Sequence, residues 1–411
     1  MGIVLRTLEV VSQLSFRNGD RVSASEAIGY LLTFGLILLT LAHRNDRQIV
    51  YAFEVFYIVF FIGKALRERS KISPYALWSS LFFGICLVSS LYSFDVSLAL
   101  KQVFNILRIL LIGNCIVFFI DGKRIKITFI LYSYIIGAAY TSIILLARTP
   151  RYLWGTSRLG NTVGINANEL GLQMAIACLI ALYFLKERRK GIFLLLSLGF
   201  GTVALLSGSR KALFFIVIGV AVLFTFGLKK KRFLLIAFPI VLIFLFFLWN
   251  IVMTVPAIYK VLGQRVESMI DGVIAQEKTD ASTSARQWMI LFGMELFRDK
   301  PLLGYGVHSF TAFVGTYAHN NFVEILVGVG LSGFLVYYSL YFFSAIGLIK
   351  SITTESLSGL MFSLLLAIVI MEYGLVTYYV ETYVILLVCA FSVASLSSAK
   401  HNRTKIMSKY T

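Results

Sequence analysis

Long apolar runs, separated by short polar or basic stretches, recur from one end of the chain to the other. Twelve stand near residues 27–43, 48–63, 75–93, 103–120, 127–147, 168–185, 191–207, 211–228, 233–254, 321–348, 357–375 and 381–397. Most are long enough to cross a hydrocarbon layer roughly 30 Å thick as a helix. A helix satisfies its own backbone polar groups, which lipid cannot do. The second run is short and carries Glu54. The pattern predicts an all-α integral membrane protein of about twelve transmembrane helices, one polytopic domain over residues 1–411.

Composition agrees, because 411 residues that are 58% hydrophobic and 14% charged cannot bury their apolar surface in one water-soluble core. Orientation follows from Lys and Arg in the loops. Alternate loops carry "KALRERSK" (64–71), "DGKRIK" (121–126), "KERRK" (186–190), "KKKR" (229–232) and the tail "KHNRTK" (400–405). With the N-terminal arm and Lys350, that side holds 23 basic residues against 14 on the other, while Arg108 lies inside a run. Both termini are therefore expected in the cytoplasm, with the long stretch 255–320, between the ninth and tenth spans, facing outward. The net charge of +18 is then topology signal and solvated loop charge, and no nucleic-acid partner is implied. The first 26 residues lack a secretory signal pattern; an amphipathic surface helix and plain disorder both fit them. Cys86, Cys115, Cys178 and Cys389 all fall in apolar runs, and the four histidines show no ligand spacing. Disulfides, a metal and a cofactor are not expected.

Polar chemistry concentrates on the outward side. Within 255–320, six basic and six acidic residues cancel. "TSARQWMILFGMELFRDKPLLGYG" reads as a surface helix, lying on the membrane or packed across the spans. Ser284 and Gln287 have capping-box spacing, Trp288, Leu291, Phe292 and Leu296 make an apolar face, and Pro301, Gly304 and Gly306 end the helix. Arg286 would then lie in the first turn, where unpaired N–H groups attract anions. Arg148, Arg151 and Arg158 precede another span, and "SGSRK" (207–211) is a tight turn holding Arg210 and Lys211. Basic residues on an outer face need a local reason, and both lipid headgroups and a phosphate-bearing lipid substrate supply one. At the start of the tenth span stands "TYAHNNFVEIL". There the helix dipole would keep His319 neutral and able to accept a proton. Asn320 and Asn321 could cap the helix or bind sugar hydroxyls, and Glu324 could orient its neighbours or bind an acceptor.

Four segments in this order resemble the O-antigen polymerase/ligase superfamily, bacterial enzymes that move glycans from undecaprenyl pyrophosphate outside the inner membrane. They are "RLGNTVGINANELG", "LLSGSRKALFF", "STSARQWMILFGMELFRDKPLLGYGVHSF" and "HNNFVEILVGVGLSG", the last with His319 followed by Gly330 and Gly333. The resemblance is best over roughly 150–350 and weak at both ends. It implies that Arg210 and Arg286 hold the lipid pyrophosphate and that His319 activates the acceptor hydroxyl, with Arg158, Asn320, Asn321 and Glu324 as further candidate substrate-binding residues. It also implies a metal-independent, inverting transfer in the cytoplasmic membrane with its active face extracytoplasmic. Its partners would be the undecaprenyl-pyrophosphate-linked glycan, an acceptor glycan, membrane lipids and a chain-length regulator. The His-Asn segment looks more like O-antigen and capsule polymerases than ligases, which transfer to lipid A-core. A twelve-span transporter or lipid-linked-glycan flippase stays open as a different class. No internal repeat supports it, and the intramembrane charges are few: Glu54, Glu372 near the outer end of its span, and Arg108, which could snorkel or line a lipid groove.

Overall fold

The computed structural model describes residues 23–42, 46–161, 164–226, 234–274 and 281–407. The N-terminal arm, His43 and the "KKKR" run lie outside the described residues. The described chain is helical, with an isolated bridge between Trp154 and Ser157 and no strand. A helix falls on each of the twelve apolar runs. In chain order these are α1 (Ala24–Ala42), α2 (Arg47–Arg67), α3 (Pro74–Ser90), α4 (Val96–Ile120) and α5 (Arg124–Arg148). Then come α6 (Ala167–Arg188), α7 (Gly191–Leu206), α8 (Arg210–Thr225) and α9 (Leu234–Thr254). Three helices without a predicted span follow: α10 (Gln264–Ile274), α11 (Ala281–Asp299) and α12 (Ser309–Val314). The last are α13 (Asn321–Ser351), α14 (Ser356–Met371) and α15 (Glu381–Met407). Among the described residues seven helices are long and apolar enough to cross a membrane, or eight if the bent pair after Pro239 is one span. The protein is an all-helical, multi-pass membrane protein.

The polar segments between the helices gather at two ends. At one, Glu26 meets Lys126, Arg124 meets Glu355, and Ser397 donates to Glu355. At the other, Leu159 N–H donates to Leu206 O, Arg265 donates to Gly208 O, and Thr377 N–H donates to the Asn321 side chain. These are the two loop sets that charge counting separated. Between them, Arg108 neither snorkels nor lines a groove. Its guanidinium donates to Glu54, to Glu381 at 2.6 Å and to Asn105 at 2.7 Å, and lies 4.5 Å from the Tyr51 ring centre. A charge at this depth is tolerated because it is paired, and the pairing ties α2, α4 and α15 together. Glu372 follows α14 and is fully buried, accepting from the hydroxyls of Tyr338, Tyr341 and Thr377.

The tenth run is not one straight helix. Gly330 has φ 65° and ψ −167°, so α13 is broken there. Irregular backbone at membrane depth must be satisfied by protein, and the segment after α11 does this. Leu331 and Ser332 donate their N–H groups to Pro301 O and Leu302 O, while Tyr305 and Gly306 donate to Val327 O and Gly328 O. The two backbones approach so closely that a Cβ on Gly330 would lie 2.4 Å from Leu302 O, and one on Gly304 2.6 Å from Gly328 O. Pro301, Gly304 and Gly306 therefore do more than end a helix: they form the strip that fills the break.

Gly330→Ala combines that clash with a left-handed backbone, a strain of about 1–3 kcal/mol before the clash is counted. Gly63→Ala, exposed in α2 with nothing within 4 Å of the new Cβ, is the control and should be neutral or better. Thermal unfolding of the purified variants should show a clear loss for the first alone. Equal melting temperatures would mean that the break is dispensable.

Candidate functional site

The site begins at the turn joining α7 to α8. Gly208 takes φ 63°, and Ser209 caps α8 by accepting from Ala212 N–H at 3.3 Å. The turn sits hard against α6, where a Cβ on Gly171 would come within 2.4 Å of Ser207 Oγ. Arg210 and Lys211 thus become the first two residues of α8. Cations at a helix start oppose the helix dipole, an end that favours anions. The cost is understandable if an anion is meant to bind there.

Other cations converge on the turn. Arg158 donates to Ser207 O at 2.9 Å and to Asn168 Oδ1 at 2.7 Å. Asn168 is placed by Asn166, which caps α6 by accepting from the N–H groups of Asn168 and Glu169. Arg265 donates to Gly208 O at 2.6 Å, and Arg210 donates to Arg265 O at 3.2 Å, so α10 and the turn hold each other. Lys211 Nζ donates to Gly374 O, beyond α14. Arg286, half-buried on α11, completes the group. Burial, then the charges of Arg265, Arg210 and Arg286, push Arg158 down to about 10. A guanidinium at that value remains charged at neutral pH, inside a field that an anion would relieve.

The fourth predicted segment meets the same group. Asn320 caps α13 by accepting from Val323 N–H at 3.1 Å, and His319 precedes it with φ 54°. That left-handed backbone is uncommon for a side-chain-bearing residue and turns His319 off the helix line. The Tyr317 ring lies 4.0 Å from the imidazole, centre to centre. Burial first, then Arg286 and Lys211, hold the imidazole at about 4. His319 is thus neutral at neutral pH, with burial and then neighbouring cations as the cause. Behind it, buried Glu324 accepts from Ala318 N–H at 2.7 Å, and its other oxygen lies 3.6 Å from His308 Nδ1. Asn321 is fully buried: it donates to Tyr338 Oη at 2.9 Å and accepts from Thr377 N–H at 2.9 Å.

The structure therefore places Arg158 within electrostatic reach of Arg210 and Arg286, and His319 within reach of Arg286 and Lys211. It directs Asn320, Asn321 and Glu324 into the support of the His319 loop. Two expectations about α11 change. The helix starts at Ala281, so Ser284 is no cap and Arg286 lies in the second turn, away from the unpaired N–H groups. A serine and glutamine three apart have the same spacing inside a helix as at its start, and spacing alone cannot separate the two. The apolar face also divides: Trp288 and Leu291 stay exposed, while Phe292 and Leu296 join Met289 and Ile290 against Phe310, Val323 and Val327. Lys211 was visible in the sequence only as a neighbour of Arg210. Arg265 carried no signal, since nothing local says that α10 folds back on the turn. Among the described residues no three His, Cys, Asp or Glu side chains are grouped to hold a metal.

Fold and site define a polytopic membrane protein with a cluster of cations beside a neutral histidine. Over residues 192–338 the chain matches the family model of the O-Antigen ligase (Wzy_C) family, so the resemblance to the O-antigen polymerase/ligase superfamily holds on this independent ground. A comparison with curated proteins finds no match. The family stretch contains Arg210, Lys211, Arg265, Arg286 and His319, whereas Arg158 lies before it.

Inorganic pyrophosphate should stabilise the purified protein by binding the folded state alone, worth about 2.7 kcal/mol at a hundredfold excess over its Kd. Arg158→Gln should lower that melting shift without abolishing it, because the other cations remain. A shift no larger than chloride gives at equal ionic strength would show that the cluster does not select this anion.

Proposed function

We propose that the protein transfers a glycan from a polyprenyl pyrophosphate, the undecaprenyl carrier of bacterial surface polysaccharides, to a hydroxyl of an acceptor glycan. The observation that carries the proposal is a cation cluster of Arg158, Arg210, Arg265 and Arg286, which Arg286 and Lys211 extend to neutral His319. In this reading the acceptor oxygen attacks the anomeric carbon while His319 takes its proton. The bond from that carbon to the phosphate oxygen breaks, and the pyrophosphate leaves with the electron pair. Fixed guanidinium groups stabilise that developing charge and stay protonated throughout. One base with a single displacement inverts the configuration at the sugar carbon. The bound pyrophosphate would also offset Arg286 and Lys211, returning His319 toward its ordinary range when the donor is in place.

Polymerisation of lipid-linked repeat units is the favoured form of the reaction, on the look of the His-Asn segment. The matched family carries the description O-Antigen ligase, and ligation, in which the acceptor is lipid A-core, is the alternative. Twelve spans with both termini in the cytoplasm would put residues 255–320 and the cluster outside the cytoplasmic membrane, where a chain-length regulator could also reach them.

A cysteine replacing exposed Tyr152, in the loop before α6, should then react with an impermeant reagent added to spheroplasts. Labelling only after permeabilisation would reverse the orientation. Transfer itself is tested with purified enzyme and a defined lipid-linked oligosaccharide. His319→Gln keeps a hydrogen-bonding side chain without the base and should lose about 10²–10⁴-fold in rate. Arg210→Lys and Arg286→Lys should each lose most activity, because an ammonium cannot reproduce the guanidinium fork. Their double variant should lose less than the product of the two. The acid limb of kcat/KM, which reports the free enzyme, should lie near the depressed value of His319, about 4. That of kcat, which reports the complex, should lie higher. Near-normal chain lengths from the Gln variant would make the histidine structural, and full activity in both Lys variants would remove the clamp.

A further inference from the structure

A cavity of about 420 Å³ lies where the ends of α1 and α5 meet the start of α6, on the same end of the bundle as the cation cluster. Its polar lining is Asp46, Arg47, Arg148, Asn166, Glu169 and Gln173. Among its described lining residues two arginines stand with two carboxylates, so that lining carries no excess of cations. Arg47 and Arg148 are exposed, whereas Gln173 is nine-tenths buried, and its carboxamide makes no hydrogen bond among the described residues. A buried amide that lines a cavity without a partner forgoes hydrogen bonds that a ligand could supply. Leu145 and Ile165 add apolar surface. The volume falls within the roughly 300–1,000 Å³ of small-molecule sites.

We propose that this cavity is a saccharide subsite that holds the acceptor glycan. Carboxylate, amide and guanidinium groups each offer two atoms to neighbouring hydroxyls, and aliphatic side chains suit the C–H face of a sugar ring. The position fits a two-substrate transfer. The first turn of α6 separates the two sites: Asn168 accepts from Arg158 of the cluster, while Asn166 and Glu169 on either side of it line the cavity. A pyrophosphate clamp has no use for a neutral sugar, and the balanced cavity has no use for pyrophosphate. The cavity residues also lie wholly before residues 192–338, outside the stretch that the family model covers. The acceptor role rests on the proposed glycan transfer, whereas the saccharide chemistry rests on the cavity itself.

The test uses the full-length protein in lipid nanodiscs. The probe is the oligosaccharide repeat unit released by mild acid from the producing cell's own lipid carrier, titrated by calorimetry. The wild-type protein should bind it, and Gln173→Met, nearly isosteric, should weaken binding at least tenfold. Glu169→Gln, a rim change that preserves shape, should weaken it severalfold and covers the case in which the buried variant misfolds. Saturating polyprenyl pyrophosphate should leave oligosaccharide affinity unchanged, and Arg286→Lys should weaken the pyrophosphate lipid while sparing the oligosaccharide. Unchanged oligosaccharide affinity in the folded Gln173 and Glu169 variants would overturn the subsite. So would displacement of the oligosaccharide by the pyrophosphate lipid. If pyrophosphate lipid does not bind while the oligosaccharide does so through Gln173, the donor clamp fails and the saccharide site stands.

Discussion

Like charge gathered around the turn before α8 is the constraint around which this end of the molecule is organised. Arg158, Arg210, Lys211 and Arg265 come from three separate stretches of chain, and each donates to a backbone carbonyl. Carbonyls on the turn and beside it satisfy part of the N–H geometry of these side chains. The arrangement is stable only because the rest of the bundle fixes those carbonyls, since the cations repel one another. Burial, and then the same field, explains the histidine: out of water and beside cations, a neutral imidazole is the favoured form.

The break in α13 serves that cluster. A straight helix from Asn321 would offer no acceptor or donor to the segment after α11, and residues 301–306 would have to be satisfied elsewhere. With Gly330 extended and left-handed, the segment docks on backbone at both edges of the break. Docking fixes the far end of α11 and hence Arg286. On the near side, Asn321 ties the start of α13 to Thr377, while Tyr338, one of its partners, reaches Glu372. Thus one network places His319 and, through the segment ending at Gly374, the carbonyl that receives Lys211.

Much of this was legible in the sequence because membrane helices are written in composition. Every apolar run became a helix, and basic loops separated the two ends, since both signals are local and additive. Arg158, Arg210, Arg286 and His319 were legible by resemblance, and as outward basic residues that needed a reason. What could not be read was long-range. Nothing around Arg265 announces that its carbonyl holds Arg210, and a mid-helix serine looks like a cap. Asn321 and Glu324 stood open between support and sugar binding, because exposure, which decides between them, is a tertiary property. That Glu381, far along the chain, would come beside Arg108 was likewise nowhere local.

The distribution of the site along the chain limits what the family stretch can do alone. Residues 192–338 supply Arg210, Lys211, Arg265, Arg286 and His319. Yet Asn168 and Arg158, which press on the turn before α8, come from before it, and Thr377 and Gly374, which anchor Asn321 and Lys211, come from after it. Gly171, whose missing side chain lets the turn sit on α6, is likewise outside. Cut from these neighbours, the stretch would keep its charges and lose the oxygens that aim them. Repulsion would then open the cluster instead of presenting it to an anion. The matched segment therefore carries most of these cations, while the flanking helices supply much of what holds them in place.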